Sequence, residues 1–281
     1  MAGGVGSRLF PVSTPEHPKQ FLDLLGCGKS LIRLTYERFM ALDPDALVWV
    51  VTSASYIHFA EEQIPEIPRE RILAEPAARN TAPCIAYACR KISMRYPDAN
   101  IVVTPSDAYV PDAKAFAATV RTALDFTANR NAIVCKGIKP QSPHTGYGYI
   151  QAPAGTDRVE KVISFREKPS LEVAQRYLEE GGYWWNAGIF VWNAGCIESE
   201  LRAYAPQISG IMDRIEPALY TDREEAALQE LFPLCEKISI DYAVMEKSDK
   251  VYALAADWEW SDLGSFEAIE KITGRDPRKS L

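Results

Sequence analysis

Residues 2–21 read AGGVGSRLFPVSTPEHPKQF, and the reading of this stretch decides the fold. Three glycines, Gly3, Gly4 and Gly6, crowd ahead of Arg8, and Lys19 follows behind Pro18. Glycines lack a Cβ, so the backbone turns tightly and aims several N–H groups at one anion, while Arg8 and Lys19 neutralise phosphate charge. Three readings fit such a loop: a plain Gly-rich turn, a dinucleotide fingerprint and a cradle for a nucleoside triphosphate. It is not a Walker loop, since no Lys-Ser/Thr pair follows the last glycine at the required spacing. The dinucleotide reading fares poorly, because it needs an apolar strand before the glycines and a helix directly after them. Only Met1 and Ala2 precede, and Pro11, Pro15 and Pro18 block an immediate helix. Leu9 to Phe21 reads instead as an extended, proline-stiffened lid that carries Lys19 back toward the loop.

Working outward, the first half alternates short β-rich apolar runs with helical stretches. Leu47 to Thr52 (LVWVVT), Arg71 to Ala74, Ile101 to Thr104 (IVVT) and Ala132 to Cys135 read as buried strands. Helices are expected around Leu31 to Leu42, Pro83 to Tyr96 and Ala113 to Ala128. Thr81 is placed to cap the second of these, with Pro83 in its first turn and Ile85, Ala88, Cys89 and Ile92 on one face. A βαβ series of this kind predicts an α/β fold, a Rossmann-like mixed, mostly parallel sheet with helices on both faces and ligand sites outside the carboxyl ends of the strands. The second half changes character. Gly146 to Gln151, Val159 to Arg166 and Ile189 to Trp192 read as strands of an inserted antiparallel ribbon, with helices near Leu171 to Glu179, Ile197 to Tyr204, Arg223 to Leu231 and Ser265 to Ile272. The Pro- and Gly-containing stretch from Lys139 to Gly148 is the best internal boundary. It divides one domain of residues 1–281 into halves at 138/139.

Composition narrows the function. The chain has 281 residues, 47% of them hydrophobic, enough for one large domain with a full core. No run of about 18 apolar residues spans a bilayer and no signal segment opens the chain, so no membrane association and a cytoplasmic location are expected. Six cysteines without CxxC pairing read as buried free thiols. A net charge of −7 argues against nucleic acid, so a polyanionic substrate must be held by local Arg, Lys, backbone N–H groups and a divalent metal.

Two aspartates stand where such a metal would need them. Asp107 follows a predicted strand through Pro105 and Ser106, and Asp262 lies in WSDLG just before the last helix. Either alone reads as a cap or turn residue. Together they suit magnesium, which takes one or two carboxylates plus substrate phosphates. Glu167 and Lys168, in FREKP, point to opposite faces if the strand continues and to one side if the turn at Pro169 rotates Lys168 inward. Their bland reading is a surface ion pair. Asn186 sits in the aromatic run WWNAGIF, a setting that suits hydroxyl-rich ligands as well as a core.

The blocks AGGVGSRLFPVS, PKQF, EPAARNTAPCIA, PSDA, TGYGYI, FREKP, WNAGIF, SIDYAVMEK and WSDLGSF occur in this order from Ala2 to Phe266. In this the chain resembles the bacterial mannose-1-phosphate guanylyltransferases (GDP-mannose pyrophosphorylases), enzymes of the nucleotidyltransferase fold. The resemblance implies that Gly3, Gly4, Gly6, Arg8 and Lys19 hold the triphosphate of GTP, and that Glu75, Arg79, Asn80 and Thr81 belong to the guanine-recognition stretch. It implies that Asp107 and Asp262 bind Mg2+, that Lys168 contacts the sugar phosphate, that Gly148, Glu167 and Asn186 line the sugar, and that Asp241 belongs loosely to the same side. Residues 1–138 then form the nucleotide-binding half and 139–281 the sugar-binding half. Ala108 and His144 depart from the family, which usually has His and an acid there.

The implied reaction joins GTP and mannose 1-phosphate to give GDP-mannose and pyrophosphate, with Arg8, Lys19 and Lys168 as the catalytic cations. No serine, cysteine or histidine need be activated, because the sugar phosphate already carries an anionic oxygen. Against the family, the strand ahead of the Gly loop is reduced to Met1 and Ala2, from which an upstream start or a weakened protein is expected. Neither the C-terminal β-helix nor the isomerase domain of longer members is expected, and a homodimer is a possible state. The alternatives are a nucleotidyltransferase for another hexose 1-phosphate and a non-catalytic paralogue that senses nucleotide sugars.

Overall fold

The computed structural model describes residues 1–4, 6–153 and 158–280. Its strands are β1 (Val50–Ser53), β2 (Ile72–Glu75), β3 (Asn100–Val103), β4 (Ile133–Ile138), β5 (Tyr149–Gln151), β6 (Glu160–Lys161), β7 (Ser164–Arg166), β8 (Tyr183–Asn193) and β9 (Val251–Ala256). Its α-helices are α1 (Leu31–Leu42), α2 (Ile57–Gln63), α3 (Thr81–Arg95), α4 (Ala113–Thr127), α5 (Leu171–Glu180), α6 (Ala194–Tyr204), α7 (Pro206–Ile215), α8 (Glu224–Leu231) and α9 (Phe266–Thr273). The helix starts are chemical: Ser30, Ser170 and Ser265 cap α1, α5 and α9, each side chain accepting a backbone N–H three residues on. At α3 the cap is Asn80 and not Thr81. The Asn80 side chain accepts from Thr81 N at 2.8 Å, while the Thr81 hydroxyl is committed to Ile240 N, also at 2.8 Å.

Two compact units divide the chain differently from the 138/139 halves. The first gathers Met1–Glu75, Pro105–Ala117 and Trp258–Leu281, and the second Pro76–Thr104 and Ala118–Asp257. In the first unit β1 and β2 pair in parallel. Met1 and Ala2 make a short extended link there: Ala2 N donates to Val51 O at 2.8 Å, and Ser106 N donates to Met1 O at 3.1 Å. Gln20 Nε2 and Thr52 Oγ1 both donate to Ala2 O at 2.8 Å, so the backbone entering the Gly loop is held from four sides. Ala2, Phe21, Ile32, Val50, Tyr56, Ala60 and Ile72 pack into one apolar cluster beneath it. A second cluster joins Leu9, Leu24, Leu31, Leu263 and Ile269.

The second unit is built on a seven-stranded mixed sheet with the order β6-β9-β4-β8-β5-β7 and β3 also paired to β8. The expected ribbon is present: Ile150 of β5 pairs with Phe165 of β7 on one side and Trp184 of β8 on the other, both antiparallel. The balance of the sheet is less parallel than the βαβ pattern predicts. Among the described strands only β4–β9 runs parallel in it, because β8 lies antiparallel to β3, β4 and β5. The sequence reading caught only residues 189–192 of β8, since Asn186 and Gly188 interrupt its apolar run. Those two residues form a bulge instead. Gly188 has φ +69°, its N–H is held by Asn186 Oδ1 at 3.0 Å, and the register with β4 shifts between Cys135 and Gly137. Of the six cysteines, five are buried and Cys27 is exposed, all of them free.

Candidate active site

In the first unit, sequence-distant residues meet around the Gly loop. Gly6 takes φ +66°, and a Cβ there would lie 2.8 Å from Lys19 Cβ and 2.9 Å from Ser13 Oγ, so both conformation and space require glycine. The side chain of Lys19 is 6% exposed; its Nζ donates to Asp107 Oδ2 at 2.9 Å and to the Asp262 carbonyl. Arg8 reaches Asp262 Oδ2 at 3.3 Å from the solvent side. Asp262 Oδ1 also accepts from Gly264 N at 3.0 Å. Both predicted carboxylates and two of the three predicted cations, Arg8 and Lys19, therefore share one place.

The backbone explains the convergence. Tyr109 N donates to Ser261 O at 2.9 Å and Ser261 N to Tyr109 O at 3.2 Å, an antiparallel bridge that sets the segments of Asp107 and Asp262 side by side. Arg8 and Asp262 also each sit next to an apolar anchor. Leu9 beside Arg8 is 1% exposed and Leu263 beside Asp262 is 0% exposed, and both belong to one cluster. Burying each such leucine contributes about 1.5–3 kcal/mol, which holds its polar neighbour in place. Gly3 lies against the Glu75 carboxylate, where a Cβ would be 3.4 Å from Oε2, and burial pushes the Glu75 carboxyl up to about 7. A Cβ on Gly4 would meet open space.

The second unit assembles the other candidates. A Cβ on Gly148 would come within 2.5 Å of Glu167 Oε2 and 3.3 Å of Asn186 Cβ. Lys168 adopts φ +45°, which turns its ammonium onto the Glu167 carboxylate; the turn before Pro169 thus puts the two side chains together and not on opposite faces. Burial opposes the charge on Lys168, but the Glu167 carboxylate and then Asp241 raise its pKa overall. Asn186 donates from Nδ2 to Asp241 Oδ1 at 3.0 Å, so with Oδ1 on Gly188 N its amide orientation is set. Glu246, to which the sequence reading gave no role, accepts from Glu167 N at 2.8 Å. Asn80 and Thr81 stand at the start of α3, tied to the segment leading into Asp241 through Ile238 and Ile240. Arg79 Nε is buried with no hydrogen-bond partner among the described residues.

The sequence family model for nucleotidyl transferase matches residues 1–278. The chain belongs to the nucleotidyl transferase family. Among curated relatives it is 37% identical to the xanthan biosynthesis protein XanB of Xanthomonas campestris pv. campestris (strain B100), over 98% of this chain and 59% of that protein. It is 36% identical to the mannose-1-phosphate guanylyltransferase ManC of Salmonella typhimurium (strain LT2), over 100% of this chain and 60% of that protein. The chain thus spans about three fifths of the length of these relatives. Among solved structures it is similar to one described as a mannose-1-phosphate geranyltransferase from Thermus thermophilus, with a TM-score of 0.87 and 31% identity over 99% of this chain and 78% of that one. No described helix is long and apolar enough to cross a membrane.

In this nucleotidyl transferase the second-unit cluster makes a pH prediction. Burial first, and the nearby Glu167 charge second, push the Asp241 carboxyl up to about 7. An unfolded aspartate titrates near about 3.9, so between about pH 4 and about pH 7 the native state binds the extra proton and stability falls as pH rises. Asp241→Asn removes that titration while its amide oxygen still accepts from Asn186. Urea unfolding across this range is expected to show a flatter pH dependence for the variant. Superimposable slopes would refute the assignment.

Proposed function

We propose that this chain transfers a guanylyl group from GTP to mannose 1-phosphate. The observation that carries the reading is the convergence of Arg8, Lys19, Asp107 and Asp262 beside a glycine-rich loop, within a family of nucleotidyl transferases. The guanylyltransferase activity for which the ManC relative is named supports guanine and mannose as the specific partners. In the reaction an oxygen of the sugar phosphate forms a bond to the α-phosphorus as the bond from that phosphorus to the bridging oxygen breaks. Pyrophosphate leaves with that electron pair. The nucleophile is already ionised, so no protein base is needed, and the work falls to alignment and charge.

Lys19 and Arg8 would neutralise the triphosphate, with the N–H groups of Gly3, Gly4 and Gly6 aimed at its oxygens. Glu75, Arg79, Asn80 and Thr81 would read base and ribose. Lys168 would hold the sugar phosphate, and Glu167, Asn186 and Asp241 the sugar hydroxyls, against the close approach that Gly148 permits. Asp107 and Asp262 would hold Mg2+: they are hard oxygen ligands, and an ammonium already rests against Asp107 and the Asp262 carbonyl, so the place accepts positive charge. When bound, the metal supplies neutralisation of the phosphate oxygens. None of the three histidines joins this set: His17 and His58 pack near Phe59, and His144 stacks on Tyr147.

Pyrophosphate release from GTP, mannose 1-phosphate and Mg2+ tests the reading, with UTP and glucose 1-phosphate as controls. Release confined to the GTP and mannose 1-phosphate pair is expected. Faster turnover with another pair would transfer the assignment to another hexose 1-phosphate or base, and a trapped nucleotidylated residue would refute direct displacement.

A further inference from the structure

Beside the Asp107 segment, α1 presents two side chains that no step above uses. Thr35 Oγ1 donates to Ser106 O at 3.1 Å and Arg38 Nη2 donates to Ala108 O at 3.2 Å. The two residues stand one helical turn apart, on one face of α1. Their acceptors are the carbonyls of the residues on either side of Asp107, and both carbonyls face α1. Both donors are buried, each 7% exposed. Arg38 is placed over the Phe116 ring, 5.3 Å from its centroid, and Phe39 meets the same ring edge-on. Its Nη1 is buried without a partner among the described residues.

A guanidinium in such a setting is costly, since an unpaired buried charge loses several kcal/mol of hydration. Burial lowers the Arg38 pKa to about 10, and no carboxylate pairs with it among the described ion pairs. Its hydrogen bond to Ala108 and its proximity to the aspartate segment are what the residue gains.

Resting on the metal reading of Asp107, we propose that Thr35 and Arg38 are positioning residues: they hold the carbonyls of Ser106 and Ala108, the neighbours of Asp107, so that its carboxylate is aimed at the divalent cation. Neither touches the reacting atoms. The clamp also explains why Asp107 can follow Pro105 and Ser106 in a segment outside β3 and still be fixed, since Ser106 N is held in turn by Met1 O.

The test is Mn2+ binding to the full chain, followed by electron paramagnetic resonance of the free ion, at temperatures where thermal melts show every variant folded. Arg38→Met is expected to weaken Mn2+ binding about tenfold, Arg38→Lys less, and Thr35→Val about threefold, losses of about 1.4 and about 0.7 kcal/mol that lie in the range of single hydrogen bonds. In an Asp107→Asn background the same changes are expected to have no further effect, which a general loss of packing would not produce. If Arg38→Met does not fold, Thr35→Val carries the test alone, since it removes one hydroxyl bond. Wild-type Mn2+ affinity in both Thr35→Val and any folded Arg38 variant, or losses undiminished by Asp107→Asn, overturns the clamp. Wild-type affinity in Asp107→Asn itself overturns the metal reading beneath it.

Discussion

Lys19→Met should lower kcat for the proposed guanylyl transfer by about 10³-fold while leaving binding of a bare divalent cation unchanged or tighter. The two directions follow from one geometry. The Lys19 ammonium, almost wholly buried, bridges the Asp107 carboxylate and the Asp262 carbonyl. Removing a preorganised donor from a site where phosphate charge shifts costs about 10²–10³ in rate. A lysine there also neutralises an aspartate that would otherwise sit half-buried beside a second one, and so competes with the metal for the same oxygens. Without it the pair is a better cation site and a worse catalyst. Stopped-flow turnover with saturating Mg2+ gives the first quantity and Mn2+ titration without nucleotide gives the second. If turnover and cation affinity fall together, Lys19 is acting as a scaffold and the charge argument fails. Lys19→Arg should not rescue, since a planar fork does not replace a compact ammonium held by two oxygens and packed on Gly6.

The residues with special chemistry were legible in the sequence; the frame that brings them together was not. Gly6, Arg8, Lys19, Asp107 and Asp262 are residue types whose placement in turns already points to phosphate and metal, and the structure joins them in one unit. Glu167 and Lys168 were readable as a pair, but which faces they share depends on the left-handed backbone of Lys168, which no propensity for lysine predicts. The helices with a cap and an apolar face, α1 above all, appear at the predicted bounds. β8 was underread because its central position depends on partners from three other parts of the chain, and its bulge carries an amide and a glycine that break local periodicity. β9 and α7 were missed altogether. The Tyr109–Ser261 bridge, which decides where Asp262 lies, is a pairing between segments from opposite halves of the chain, and local composition carries no trace of it.

Gly264→Ala is the substitution that separates placement from stability most sharply. A methyl on Gly264 would stand 2.4 Å from Asp262 Oδ2 and 2.7 Å from Arg8 Nη2, closer than any real contact, yet these are the far ends of two side chains and not backbone. Relief is therefore available to the fold at little cost: the Asp262 carboxylate rotates off Gly264 N and the Arg8 guanidinium swings into solvent, where it is already two-thirds exposed. The chemistry has no such relief. A displacement of about 1 Å in a group that aligns reactants costs about 10²-fold in rate, and here a cation and a carboxylate move at once. Gly264→Ala is expected to melt within a few degrees of the parent and to lose about 10²-fold or more in kcat/KM for GTP. KM for mannose 1-phosphate should change little, because Gly148, Glu167 and Asn186 are built from other segments. A shorter route to the same displacement is Asp262→Glu, which extends the carboxylate by one methylene against the unchanged glycine. Wild-type turnover in a folded Gly264→Ala would mean that Asp262 and Arg8 need not be where this structure holds them, and the assignment of the opening loop to triphosphate chemistry would fall with it.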